Sequence, residues 1–258
     1  MSPVNGGTGA ASGPPAAGAV YPKSDYKEYP KTLPADDLWG QVRRTVNGRP
    51  VAPEQIDMIV AAIRQGLDLQ PNDVLLDLAC GNGALSSLLF DACAEVHGVD
   101  FSDYLIEVAQ ARFARAAPAG PGARSSFEVG DAATYVRSEV DPARFTKALC
   151  YGSFMFFSAD DARAVLAGLQ QRFPRLTRIF IGNLPDKDRA HLFYPAGKDY
   201  QAELSDPAAQ IGLWRSAAEF ERLARDTGWH LRLARMPEDF YAARYRYDAV
   251  LDRVEQAP

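Results

Sequence analysis

From residue 53 onward, apolar and polar positions follow two alternating periods. "DVLLDLA" (73–79) is a continuous apolar run and predicts a strand buried on both faces. "GALSSLLFDAC" (83–93) has the spacing of an amphipathic helix. "AEVHGVD" (94–100) predicts a strand, and "DYLIEVAQARFARA" (103–116) a helix with Leu105, Val108 and Ala109 on one face. "APAGPGAR" predicts a loop, "SFEVGDA" a strand, and "FTKALCYGSFMFF" begins as one. "SADDARAVLAGLQQRF" predicts a helix with Ser158 and Asp161 as a capping pair. "LTRIFIGNLPD" predicts a strand and its exit loop. "SAAEFERLARDTG" predicts a helix opened by a Ser216/Glu219 capping box, and "WHLRLARM" and "YRYDAVLDR" close the chain as strands. Before the first strand, "PEQIDMIVAAIRQG" spaces Ile56, Ile59, Val60 and Ile63 as one helical face, with Pro53 in the first turn and Gly66 at the C-terminal cap.

Strands alternating with helices predict an α/β fold with a doubly wound, mostly parallel sheet. Ligands on such sheets bind at the carboxyl ends of the strands. That rule selects the residues that matter for function.

Residues 1–20 are rich in Gly, Ala, Pro and Ser and predict a disordered tail. Residues 21–52 are polar, aromatic and broken by prolines, and predict an irregular or short-helical lid. The ligand-binding domain is expected over 53–258, with an insertion at about 184–214. The 258-residue chain carries a formal charge of −5 and shows no Lys/Arg cluster, which argues against a nucleic-acid partner. No apolar run is long enough for a membrane helix, and the N-terminus lacks the layout of a secretory signal. Cys80, Cys93 and Cys150 form no CxxC pair, so reduced thiols and a cytoplasmic location are expected. No metal site is expected. A homodimer is compatible with these features.

An acidic residue stands at or beside three successive strand ends: Asp77 before "LACGNG", Asp100 before "FS", and Asp131 in "GDA". Gly81 and Gly83 let the backbone turn sharply and approach a ligand. The following helix would offer its N-terminus to an anion, carboxylate or phosphate. A carboxylate at Asp100 suits two ribose hydroxyls, and Asp131 suits an exocyclic amine such as that of adenine. A nicotinamide dinucleotide fits less well. Its G-x-G-x-x-G fingerprint meets Ser86 at the third position, and Asp77 would repel a pyrophosphate.

This pattern resembles the class I S-adenosylmethionine-dependent methyltransferases. Their first motif, acidic-x-Gly-x-Gly-x-Gly, reads D-L-A-C-G-N-G here, with Ala79 in place of the first glycine. The resemblance implies S-adenosylmethionine as cofactor and a seven-stranded sheet with the last strand antiparallel. It assigns Asp77, Ala79, Gly81 and Gly83 to the methionine side, Asp100 to the ribose, Phe101 to the adenine face, and Asp131 and Ala132 to the adenine edge. Tyr151, at the fourth strand end, joins the cofactor set.

Methyl transfer from a sulfonium is an in-line displacement that needs alignment and, for a hydroxyl acceptor, a base. The fourth strand's exit, "CYGSFMFF", lacks the N-P-P-Y type motif of enzymes that methylate nucleobase or glutamine nitrogen. The fifth exit, "GNLPDKDRAHLFYP", gathers polar residues. His191 is the first candidate base, since histidine titrates near neutrality, and Asp186 is the second. Acceptor contacts are expected from Tyr26, Trp39 and Arg43 of the lid and from Phe154, Asn183, Arg189 and Tyr194. A small hydroxylated acceptor is the leading expectation. A small amine, a protein or nucleic-acid acceptor, and a NAD-type oxidoreductase are the alternatives.

Overall fold

The computed structural model describes residues 25–46, 48–114 and 124–254. The tail expected over 1–20 and the loop expected after Ala116 lie outside the described residues.

Seven strands form one sheet: β1 (Val74–Leu78), β2 (Glu95–Asp100), β3 (Arg124–Val129), β4 (Lys147–Tyr151), β5 (Arg178–Pro185), β6 (Trp229–Ala234) and β7 (Arg246–Arg253). Their spatial order is β3-β2-β1-β4-β5-β7-β6. The first five run parallel, and β7 runs antiparallel to both β5 and β6. From residue 53 onward the α-helical segments are α1 (Pro53–Leu67), α2 (Ala84–Ser87), α3 (Asp103–Phe113), α4 (Ala132–Ser138), α5 (Ala159–Arg172) and α6 (Ala217–Asp226).

The two-residue period of the strands divides the core. Leu75, Leu149, Tyr151, Phe180 and Val250 face α1 and α3. Leu76, Leu78, Ala148, Ile179 and Leu251 face α4, α5 and α6. Each layer buries continuous aliphatic and aromatic surface, the dominant favourable contribution to folding. Asp77 falls on the Leu75 face, at the carboxyl end of the central strand.

The capping signals operate as expected. Pro53 opens α1, the Ser158 hydroxyl accepts from the Asp161 N–H, and the Ser216/Glu219 capping box is reciprocal. Gly66 is not the cap of α1. The helix runs on to Leu67, and Asp68 caps it in the left-handed region, at φ 51°. Gly66 instead lets α1 lie against the sheet, since a Cβ there would stand 2.4 Å from the Phe180 ring.

Two expectations about helices fail. The helix expected over 83–93 is only one turn of α-helix. Leu88 and Leu89 donate to residues three positions back, and the Ser87 hydroxyl bonds the Ala84 carbonyl. Serine side chains compete with the helical ladder in this way. Conversely, α4 was not foreseen, although Asp131 is its N-cap and accepts from the Ala133 and Thr134 N–H groups.

The N-terminal segment forms two single helical turns (Asp25–Glu28 and Leu38–Gln41), a short 3-10 turn (Tyr29–Thr32) and a two-residue hairpin (Thr45–Val46 with Arg49–Pro50). It lies on the carboxyl edge of the sheet. The Asn82 amide donates to the Leu38 carbonyl at 2.8 Å and to Gln41 Oε1 at 3.0 Å.

Candidate active site

A cavity opens at the carboxyl ends of β1 to β4, beneath the N-terminal segment. Its floor carries Asp77, Ala79, Gly81, Asp100, Phe101, Asp131, Ala132 and Tyr151, and Tyr26, Trp39, Val42 and Arg44 close it from above.

The loop after β1 is built from alternating left-handed residues: Ala79 (φ 59°), Gly81 (φ 59°) and Gly83 (φ 75°). This zigzag folds the chain tightly enough for Val42 to rest on Gly81, where a Cβ would stand 2.7 Å from the valine side chain. Asp100 fixes the loop from the neighbouring strand. Its Oδ2 accepts from the Gly81 N–H and its Oδ1 from the Ser102 N–H, both at 2.9 Å. Each carboxylate oxygen keeps a further lone pair, so these bonds orient Asp100 without exhausting it. Burial raises its pKa, opposed by the two backbone donors and by Lys27. Asp77 lies deeper and accepts a 2.6 Å bond from the Ser86 hydroxyl. Burial pushes its carboxyl up to about 7, with the Ser86 bond opposing and the Asp100 charge adding to the rise.

Of the nine expected cofactor residues, Gly83 alone lies outside the cavity lining. It packs inward, where a Cβ would stand 3.0–3.2 Å from Phe127 and Ala109. Asp131 lines the cavity while capping α4 through Oδ1.

The expected acceptor and catalytic residues divide differently. Tyr26 and Trp39 line the cavity. Arg43 does not. Its left-handed backbone (φ 51°) turns it outward, onto the Tyr29 ring at 3.6 Å and into an ion pair with Asp25. The next residue, Arg44, turns into the cavity instead. Phe154 is buried in the core against Phe157 and Phe220. It lies in a 3-10 turn whose N-cap, Ser153, and last residue, Phe156, reach the cavity.

The exit of β5 stands elsewhere. His191 is exposed on the 3-10 turn Lys187–Leu192. Asp186 is 2% exposed and caps that turn through the Asp188 N–H, while pairing with Arg235. Asn183 sits at a bulge in β5 with φ 65°, its N–H donating to Asp248. The Arg189 guanidinium lies at the surface near the Arg244 carbonyl. Tyr194 stacks on Tyr200 and packs on Trp214 in a separate aromatic cluster. This exit is therefore a self-packed structural element, and from the following stretch Pro207 reaches the cavity. A cluster of polar letters in the sequence cannot reveal that each finds its partner locally.

Sequence reading missed Arg44, Gly152 and the role of Asn82. The signal for Asn82 was present, since an asparagine between two left-handed glycines has its amide free to reach across a loop.

The cavity suits an adenosyl amino acid. It offers a carboxylate at Asp100, an aromatic face at Phe101, and the sharply turned backbone of the Gly81 loop. The Tyr151 hydroxyl is buried and has no hydrogen-bond partner among the described residues, as expected of a group that awaits a polar ligand.

Comparisons with known proteins agree. Residues 75–172 match the family model described as a methyltransferase domain. The chain is similar in fold to magnesium protoporphyrin IX methyltransferase from Synechocystis, solved with S-adenosylhomocysteine, with 19% identity, 78% of this chain and 83% of that chain covered, and a TM-score of 0.54. It is also similar to an S-adenosylmethionine-dependent methyltransferase from Leishmania major, with 16% identity, 88% and 81% covered, and a TM-score of 0.60. A third, a TehB-like methyltransferase from Corynebacterium glutamicum, has 17% identity, 90% and 100% covered, and a TM-score of 0.53. No curated protein sequence matches the chain. Over residues 75–172 the chain is thus a methyltransferase domain, on a sheet of the class I order, and S-adenosylmethionine is its cofactor.

Proposed function

We propose that the enzyme methylates a small molecule held beneath the N-terminal segment. The observation that carries this reading is the roof over the cavity. Tyr26, Trp39 and Val42 lie across the strand ends, and Asn82 ties that roof to the glycine loop. A covered cavity excludes water and limits the size of what can enter. Among the described residues, no helix is long and apolar enough to cross a membrane.

In this reading the cofactor spans four adjacent strand ends. Asp131 and Ala132 border the adenine, Phe101 its face, Asp100 the ribose, and Asp77, Ala79 and Gly81 the amino-acid end. Bound there, S-adenosylmethionine supplies an activated methyl group. The protein supplies alignment and desolvation. The N-terminal segment, about 25–52, acts as the lid of the domain that follows it.

A hydroxyl acceptor was the first expectation, and it relied on His191 or Asp186 as base. Both stand outside the cavity lining. That observation favours an acceptor that is nucleophilic without a protein base, a small amine above all. The aromatic walls from Tyr26, Trp39, Phe156 and Phe157 suit an amine, which attracts ring faces in its charged form and loses its proton more readily once desolvated.

The test is to incubate the enzyme with S-adenosylmethionine and fractionated metabolites, then search by mass spectrometry for products heavier by one CH2. Amines among the methylated products support the reading. Transfer confined to macromolecules contradicts it.

A further inference from the structure

A second cavity, of about 390 Å³, opens between the first turns of α5 and α6. It shares no lining residue with the active cavity. Asp160 and Arg163 of α5 stand on one side and Glu219 of α6 on the other. Lys187 and Arg215 close its end. They come from two chain segments that pair in parallel where Asp186 meets Arg215. Both helices present their N-terminal ends here, and with them the positive ends of their dipoles.

The charges around this cavity are matched with one exception. Lys187 pairs with Glu219 at 2.7 Å, and Glu219 also accepts from the Ser216 N–H at 2.9 Å. Arg163 faces Asp226 at 3.6 Å. Asp160 is exposed, where water and salt screen its charge. Arg215 is the exception. Among the described residues no carboxylate lies within ion-pair distance of it. Its guanidinium lies 5.6 Å from the centroid of the Phe154 ring, and Nη2 reaches the Phe157 carbonyl at a long 3.4 Å. Nη1 is buried and has no hydrogen-bond partner among the described residues. A guanidinium keeps its proton even where burial disfavours it, so the charge cannot be shed. A partly buried charge with no counter-ion is costly. An anion in the cavity would supply the missing partner.

The second cavity is joined to the active one by the 3-10 turn Phe154–Phe156. On one side, the chain leading into α6 is stitched to that turn. The Leu213 N–H donates to the Met155 carbonyl at 2.8 Å. Gly212, at φ 74°, lies so close that a Cβ would stand 2.6 Å from the same oxygen. Arg215 holds the Phe157 carbonyl just beyond. On the other side, Ser153, Phe156 and Phe157 line the active cavity. One short turn is thus the partition between the two cavities, and Arg215 bears directly on it.

We infer that the cavity between α5 and α6 is an effector site for a small molecule bearing a phosphate or carboxylate group, seated on Arg215 with Arg163 and Lys187 at its rim, and coupled to the active cavity through the turn Phe154–Phe156. Thermal unfolding of the whole protein, titrated with inorganic phosphate and separately with succinate, tests it. Ionic strength is held constant with chloride, and saturating S-adenosylhomocysteine keeps the active cavity filled. At least one of the two anions should raise the midpoint saturably. A response to phosphate alone marks a phosphate-bearing effector, and a response to succinate alone a carboxylate-bearing one. Arg215→Gln should weaken the apparent affinity by about tenfold or more, as expected for losing a bond to a charged group. Arg163→Gln, a change at an exposed position, should weaken it several-fold and serves where Arg215→Gln does not fold. The bound anion should also slow hydrogen exchange in residues 153–157 of wild type. No saturable response to either anion would overturn the inference. A response undiminished in both variants would place the anion elsewhere and overturn it equally. Binding that leaves exchange at 153–157 unchanged would overturn the effector role.

Discussion

The Ser86 hydroxyl donates a 2.6 Å hydrogen bond to the Asp77 carboxylate beneath the glycine loop. Both residues are buried, Ser86 completely. This pair explains why a serine stands where a dinucleotide-binding loop has its third glycine. It secures an acidic group under the glycine loop, on the floor of the cavity. Burial, against the pull of this bond, makes that group's charge responsive to pH.

Asp77 titrates near 7 in the folded protein against an ordinary 3.8. An acid whose folded pKa is raised favours folding most below its unfolded value and loses that contribution as pH rises through the folded one. The ligand-free protein is therefore expected to lose stability between about pH 4 and 7, an effect that Asp248, raised to about 6, shares. Denaturant unfolding of wild type and Asp77→Asn across that range checks this. The variant should show a shallower decline, and an identical slope would assign the effect elsewhere.

Asp100 holds both the glycine loop and, in this account, the ribose. Asp100→Asn keeps an acceptor oxygen for the backbone while removing the charge. Its affinity for S-adenosylhomocysteine should fall by about tenfold or more, since bonds to charged groups are worth about 1.5–3 kcal/mol. Calorimetry beside a melting curve separates this from unfolding. Unchanged affinity would place the ribose away from Asp100.

Ala79 adopts φ 59°, a conformation that costs a residue with a Cβ about 1–2 kcal/mol. Ala79→Gly relieves that strain but adds freedom to the unfolded chain. A net gain of about 0.5–1 kcal/mol in urea unfolding is expected. A loss would show that the Ala79 methyl packs to more effect than the strain costs.

Asn82 is the fastener between loop and lid. Asn82→Ala leaves the Leu38 carbonyl and Gln41 without their amide and should cost about 1–3 kcal/mol. Hydrogen exchange should rise in residues 25–46 more than in α5. Uniform exchange across the chain would mean that the lid is held by its apolar contacts alone.

His191 and Asp186 separate cleanly. His191→Ala, at an exposed site away from the cavity, should alter stability by no more than about 0.5 kcal/mol and leave turnover and its pH profile intact. Asp186→Ala removes a buried cap and the Arg235 pair, and should destabilise by about 1–3 kcal/mol. A lost basic limb in the pH profile of His191→Ala would restore it as the base.

The sheet was legible because strands buried on both faces must be apolar, and the strand ends were legible because ligands on this fold bind there. Asp77, Asp100 and Gly81 could thus be singled out by their place at the strand ends, and the family resemblance supplied the roles expected of them. The acceptor side was not, because its residues are arranged by turns whose local conformation the letters do not encode. Arg43 and Arg44 are adjacent and identical in type, and a left-handed φ at the first decides which one enters the cavity. Phe154 and Phe156 are separated by two-thirds of a 3-10 turn, one facing the core and the other the cavity. The polar run after β5 invited a catalytic reading, yet Asp186 and Tyr194 are consumed by partners the chain brings in from Arg235 and Trp214.

Thermal unfolding with added ligand tests whether the cavity at the ends of β1 to β4 holds an adenosyl amino acid. S-adenosylhomocysteine should raise the midpoint in a concentration-dependent way, with the shift reduced in Asp100→Asn, and NAD should leave it unchanged. A midpoint raised by NAD and indifferent to S-adenosylhomocysteine would contradict the account.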